Sequence, residues 1–359
     1  MKIQLYKIVL FCLCIIISNQ MYAIDGHKHE KTKTITKKYT VNTNALLKID
    51  NKYGNVDIVS WEGNQIEVVV KITVKGNDEN QVIKRLNAID VDFKSSKNEV
   101  SAETVIEKVS SWSWGWGKSN NVNYQINYKV KVPITNSVDI ENDYGNITLS
   151  ELKGKAKIDC DYGSIILGEL HSNNNEIELD YCNNSTIGYI NSGTIDADYS
   201  KFTVERAEHI RLNADYTTSV FENIKILNYN CDYGSLKIDN GVSIDGNGDY
   251  LSLKIGTVLK KAIIESDYGF IKIESLIDGF DIVDIDGSYT GIKIGVPKEK
   301  GFMFDVNISY GGFKYDTDMV NITSQIVKSR LKSYQGTYGK SNTRSKIIIN
   351  SGYGSVTFN

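Results

Sequence analysis

Apolar and polar residues alternate along most of the chain, and one short phrase breaks the alternation at regular intervals. Between Ser137 and Tyr310 the phrase runs apolar-polar alternation, Asp-Tyr, a small residue that is often Gly, then alternation again. It reads DIENDYGNITL at Tyr144, AKIDCDYGSIIL at Tyr162, TIDADYSKFTV at Tyr199, LNYNCDYGSLKI at Tyr233 and IIESDYGFIKI at Tyr268. Looser copies stand at Tyr181, Tyr216, Tyr250, Tyr289 and Tyr310, and successive tyrosines are 17 to 21 residues apart. A fixed short period marks an array in which each unit buries its apolar face on the next.

Within a copy the apolar positions recur every second residue, as in Ile158, Cys160 and Tyr162 and then Ile165 and Leu167, which is the period of a strand. Each unit therefore holds two short strands joined at a corner marked by Tyr, and the Gly that often follows is read as the residue that lets the backbone bend. Counting back from Tyr, Asn142, Cys160, Ala197, Ala214, Cys231, Gly248 and Ser266 share an inward column of mostly small residues, as a narrow core requires. The expected architecture is all-β. It is a β-solenoid, a single-stranded β-helix of about 18 residues per coil, with coils stacked at roughly 4.8 Å into a rod of about 50 to 60 Å.

Three segments are expected. Residues 1 to 23 carry Lys2 and Lys7, an apolar run from Ile8 to Ile17 and a short polar-to-small stretch ending at Ala23, the order of a signal peptide for export. Residues 24 to 133 read as a β-rich capping unit. It opens with LKIDNKYGNVDIVSW, contains one short helix from Asp78 to Leu86, and ends in the strand NYQINYKVKV. Residues 134 to 359 form the repeat domain. There TDMVNITSQIVKSRLKSYQGTYGKSN loses the period, carries basic residues and reads as a loop or short helix excursion, before SKIIINSGYGSVTFN restores the phrase as the last coil.

Charge narrows the partners. Removal of residues 1 to 23 leaves 39 basic residues (41 less Lys2 and Lys7) against 44 acidic, a net charge of −5, which disfavours nucleic acid. The run from Ile8 to Ile17 is too short for a comfortable membrane span as a helix, and no other stretch approaches the length needed. Cys160 and Cys231 lie four coils apart in one column, about 19 Å at strand spacing, so free buried thiols are expected.

Two constellations could carry chemistry. Asp precedes Tyr in eight consecutive copies, at Asp143, Asp161, Asp180, Asp198, Asp215, Asp232, Asp249 and Asp267. Stacked, these form a carboxylate ladder beside Tyr144, Tyr162, Tyr181, Tyr199, Tyr216, Tyr233, Tyr250 and Tyr268. Oxygen ligands at that spacing suit a hard cation such as Ca²⁺, but a corner Asp also accepts backbone N–H groups. At 4.8 Å in water two unit charges repel by only about 1 kcal/mol, so the structural reading needs no metal. The second constellation is SSWSWGWGKSN, where Trp112, Trp114 and Trp116 alternate with small residues. It reads either as part of the cap's core or as an exposed tip that meets a glycan, a membrane or another envelope protein.

KIDNKYGNVDIVSW, the DYGNI and DYGSI repeats and the Trp-rich insertion together resemble the bacterial β-strand-repeat "putative adhesin" family, a domain of unknown function common in Bacteroidetes. The resemblance covers nearly the whole chain after residue 23. It implies a β-solenoid, export and a cell-envelope setting in the periplasm or at the surface, and brings no catalytic motif. No G-x-S-x-G and no Cys-His metal spacing occurs, and His171 and His209 stand alone in the sequence. The chain is thus expected to be a non-catalytic binding or scaffold protein without cofactor or metal, the alternative being a β-helix polysaccharide lyase or hydrolase that uses the Asp ladder.

Overall fold

A computed structural model describes residues 27–108, 122–297, 301–339 and 344–359. The expected signal peptide lies outside these residues, as do Trp112, Trp114 and Trp116. Among the described residues the fold is all-β, with 26 strands in one continuous sheet and one helix, Glu79–Asn87. Asp78, which the sequence placed inside the helix, is its N-cap, accepting from the N–H groups of Asn80 and Gln81 at 2.9 and 3.1 Å. Val82 turns inward and is fully buried.

From Ser137 onward the chain returns at each phrase to pair, parallel and in register, with the phrase before it. Strands ahead of the tyrosines form one stack: Ser137–Asp143 on Ala156–Asp161, and that strand on Asn175–Asp180. Strands after the tyrosines form another: Asn146–Leu152 on Ser164–Leu170, followed by Ser185–Asp198. Register is held by inward columns. One runs Ile49, Ile140, Ile158, Ile177, Ile195, Leu212, Tyr229, Gly246, Ile264 and Ile285. A one-residue slip would turn such a column out to water, which fixes the pairing wherever the other face is buried. Cys160, Cys182 and Cys231 are free and buried.

The phrase at Tyr53 makes a coil of its own, since Leu46–Lys52 and Val56–Trp61 pair in parallel with Ser137–Asp143 and Asn146–Leu152. The residues between extend both stacks, with Glu99–Ile106 on the first and Asn123–Pro133 on the second. Antiparallel strands then finish this end: Ile89–Ser95 on one side, Gln65–Gly76 and the outermost His29–Thr40 on the other. The outer strand carries Lys31, Lys33, Lys37 and Lys38, charges that discourage edge-to-edge addition. Lys33 reaches across to Asp90 at 3.0 Å.

At the far end the structure corrects the sequence reading. The final phrase is not the last coil. Its strand Lys346–Gly352 lies between Ile282–Ser288 and Phe302–Ser309, parallel to both. Its second strand, Ser355–Phe358, lies between Gly291–Ile294 and Gly312–Lys314. The aperiodic stretch before it is a hairpin, Val320–Val327 and Leu331–Tyr338, whose second strand pairs antiparallel with Phe302–Ser309. Inward Ile347, Ile349, Val356 and Phe358 match the columns on either side, so the inserted coil buries its apolar face twice.

Candidate functional site

The corner tyrosines form one continuous ridge. In spatial order it runs Tyr53, Tyr144, Tyr162, Tyr181, Tyr199, Tyr216, Tyr233, Tyr250, Tyr268, Tyr289, Tyr353 and Tyr310. Neighbouring rings lie 4.6 to 5.3 Å apart and within 10° of parallel. Each ring hides its faces against its neighbours and keeps its edge and hydroxyl in water; Tyr199 is 50% exposed. The column therefore extends past the eight sequence positions to Tyr53, Tyr289, Tyr310 and Tyr353.

Its geometry comes from the backbone, and here too the sequence reading needs correction. The bend is carried by Tyr itself, since every ring of the ridge sits on a residue with φ between 50° and 63°, in the left-handed region. For a residue with a Cβ that conformation costs about 1–2 kcal/mol, and stacking worth about 0.5–1.5 kcal/mol per pair offsets it. The Gly that follows serves a different purpose. A Cβ on Gly145 would sit 1.9 Å from the Gly54 carbonyl oxygen, so Gly is there to let adjacent coils approach. Where it is Ser200, Thr217 or Thr290, the hydroxyl turns inward and donates to backbone carbonyls, as Thr217 does to Ala197 at 2.8 Å.

The Asp ladder flanks the ridge. Each tyrosine N–H from Tyr144 to Tyr250 donates to the carbonyl of the Asp in the next coil, as Tyr199 does to Asp215 at 3.1 Å. The carboxylates of Asp198, Asp215, Asp232 and Asp249 accept the backbone N–H of the next Asp, and Asp267 accepts that of Ser288. Lys52 closes the other end on Asp143 at 2.9 Å. These contacts fit the corner role of Asp. Among the described residues no three His, Cys, Asp or Glu side chains converge as metal ligands.

Two residues before the ladder runs a second acidic column: Asp50, Glu141, Asp159, Glu178 and Asp196. An open groove of about 290 Å³ lies between the two columns, lined by Glu178, Asp180, Asp196, Asp198 and Asp215. Burial, reinforced by Glu178, Asp161, Glu141 and Asp180, pushes the Asp159 carboxyl up to about 6. Burial and carboxylate neighbours also raise Glu141, Asp161, Glu178 and Asp180. A carboxyl raised above its unfolded value binds more protons when folded, so this stabilisation is present at acid pH and is lost as pH rises through about 6. The melting temperature is accordingly expected to rise between pH 7 and pH 5, and Asp159→Asn to flatten that rise. A profile that falls over the same interval and is unchanged in the variant would contradict the assignment.

Beyond the corner the polarity inverts in the second half of the molecule. Lys237, Lys254, Lys272 and Lys293 occupy one outward column in four consecutive coils, a feature visible in the sequence only once coils are aligned. His171, alone in the sequence, is not alone in space. Its Nε2 lies 3.1 Å from Glu151 and 3.5 Å from Glu169, which also binds Arg206 at 3.2 Å. These are polar contacts on an open surface face.

No family model matches the sequence, and no curated protein matches it. Solved structures do. The chain aligns over 91% of its length with 99% of a "putative cell adhesion protein" from Clostridium sporogenes, at 12% identity and a TM-score of 0.18. It aligns over 91% with 97% of a "putative adhesin" from Bacteroides fragilis, at 10% identity and a TM-score of 0.23. It aligns over 94% with 99% of a "putative lipid binding protein" from Parabacteroides distasonis, at 10% identity and a TM-score of 0.27.

Proposed function

We propose that this chain is an exported, non-catalytic β-solenoid of the cell envelope that binds an extended partner along its tyrosine ridge. The single observation that carries the reading is the ridge itself: twelve stacked rings, about half exposed, presented as one line on a rigid framework. A repeated exposed aromatic edge with a hydroxyl at each step suits multivalent contact with a long polymer, each step adding a weak interaction. The partner class is a glycan or another envelope protein. The antiparallel strands beyond the Tyr53 coil act as the cap that protects this end of the stack, and Trp112, Trp114 and Trp116 supply a second contact.

The test is replacement of Tyr181, Tyr199 and Tyr216 by Ala, which removes four stacked pairs from the middle of the ridge. Those pairs amount to about 2–6 kcal/mol, and the loss is not offset, because Ala in the same backbone conformation keeps the strain and loses the ring. Binding to immobilised glycans and envelope extracts should fall at least tenfold, with the overall fold retained by circular dichroism. Full binding by the folded variant would sink the reading. Fractionation of cells settles the location, since export requires recovery from periplasm, surface or medium.

A further inference from the structure

The hairpin at the far end of the molecule is unlike the rest of the chain. From Met319 to Asn359 the sequence holds Lys328, Arg330, Lys332, Lys340, Arg344 and Lys346 and no Asp or Glu. The remainder holds 35 basic (41 less these 6) and 44 acidic residues, so this wholly basic segment stands against a net acidic remainder. Such a separation of charge points to an anionic partner there.

The structure shows what the basic end presents. The hairpin's root is anchored, with Tyr334 and Tyr338 buried and packed on Phe313 and Phe302. Its tip is not. Lys328 N–H closes the turn on the Leu331 carbonyl at 2.8 Å, and around it Ile326, Val327 and Leu331 stand 48%, 58% and 45% exposed. Lys328, Arg330 and Lys332 stand among them. Arg330 lies over the ring of Tyr310, the last of the ridge, at 5.8 Å, and Lys332 Nζ donates to the Gly311 carbonyl at 2.6 Å. Among the described residues none of these three cations forms an ion pair, and Asp305, the acidic residue on the adjoining strand, is held by Gln335 and Asn307.

We infer that this tip is a docking element for an anionic lipid surface: the aliphatic side chains enter between head groups and the flanking cations meet lipid phosphates. Two features favour that occupant. The tip's apolar residues are interleaved with basic ones, the arrangement by which peripheral proteins hold an interface, with long basic side chains spreading to the charged layer. The open edge of Val320–Val327, which would otherwise invite a second copy, carries an irregularity between Ile322 and Ser324 that breaks the regular ladder a second strand would need.

The experiment is flotation of the full-length mature chain with vesicles of phosphatidylcholine alone and of phosphatidylcholine mixed with phosphatidylglycerol. Binding is expected to the mixed vesicles only, weakening as salt is raised. Each cation near such a surface contributes roughly fivefold to partitioning, so K328Q with R330Q should lose about twentyfold or more. Ile326→Ser, Val327→Ser and Leu331→Ser together should lose binding at every salt concentration while leaving the melting temperature close to that of the parent. Equal binding to both vesicle types would overturn the inference. So would retention of binding by the serine variant, which would mark a general polyanion site, or a concentration-dependent dimer broken by Ile326→Ser in a protein that ignores vesicles.

Discussion

Deletion of Arg344–Asn359 is expected to unfold the strands on either side of it while the strand pairs from Tyr53 to Tyr250 stay folded. The deleted residues supply a coil that lies between two others, with seven register pairs to Ile282–Ser288 and seven to Phe302–Ser309. Ile347, Ile349, Val356 and Phe358 are each at most 4% exposed. At about 1.5–3 kcal/mol for each buried side chain, their loss is about 6–12 kcal/mol, similar to the whole stability of an ordinary domain. The Tyr353 ring, stacked at 4.7 Å on Tyr289 and 4.6 Å on Tyr310, goes as well. Two strands on each side of the gap would then face water with unpaired edges. Because each coil touches only its neighbours, the damage should stay local. Hydrogen exchange should show lost protection from about residue 270 to 339 and retained protection before it. Uniform protection throughout the truncated chain would show that the gap closes and that the inserted coil is dispensable.

The same coil shows where sequence reading reaches its limit. The phrase SKIIINSGYGSVTFN is legible as a coil because its alternation and Tyr-Gly match every other copy. Its position is not legible, because an inward Ile column fits equally well against any neighbouring column. What decides it is the length of the preceding stretch, which folds as a hairpin against Phe302–Ser309 and brings the chain back inside. The mixed identity of the opening unit is a similar case. IDNKYGNV reads like the other phrases, and it is a coil, but 62–136 intervene before the next coil begins at Ser137. Period reveals units; it does not reveal their stacking order.

At the ridge the eight DY dipeptides made an aligned column legible from spacing alone. The backbone conformation was not legible, since Gly after Tyr suggests the wrong residue for the left-handed bend. A Tyr at φ 50° is intelligible only when the ring is seen packed between two others. The Lys237, Lys254, Lys272 and Lys293 column shows the same dependence on register. It appears as scattered charge until the coils are aligned by their tyrosines.

The inward column between Ile195 and Ile264 makes the other prediction of large effect. Tyr229 is the one aromatic residue in that column, and Gly246 stands opposite it in the next coil. A Cβ on Gly246 would lie 2.5 Å from the Tyr229 Cδ1 and 2.3 Å from its carbonyl oxygen, so the ring occupies the space that a side chain at 246 would need. Burial pushes the Tyr229 hydroxyl far above its ordinary pKa, and that hydroxyl has no hydrogen-bond partner in the interior. Three variants therefore separate packing from polarity. Tyr229→Ala should cost about 3–5 kcal/mol through the cavity it leaves. Gly246→Leu should cost at least about 1–3 kcal/mol through overpacking, and more if the backbone clash cannot relax. Tyr229→Phe should be neutral or stabilising by about 1 kcal/mol, because it removes a buried polar group that pairs with nothing. Tyr229→Ala combined with Gly246→Leu should recover part of both losses, since the new side chain fills the vacated space, giving a coupling of about 0.5–3 kcal/mol. Denaturant unfolding of the four variants measures each value. Simple additivity in the double variant would mean that the two positions do not share one volume, and the packing account of this column would fail.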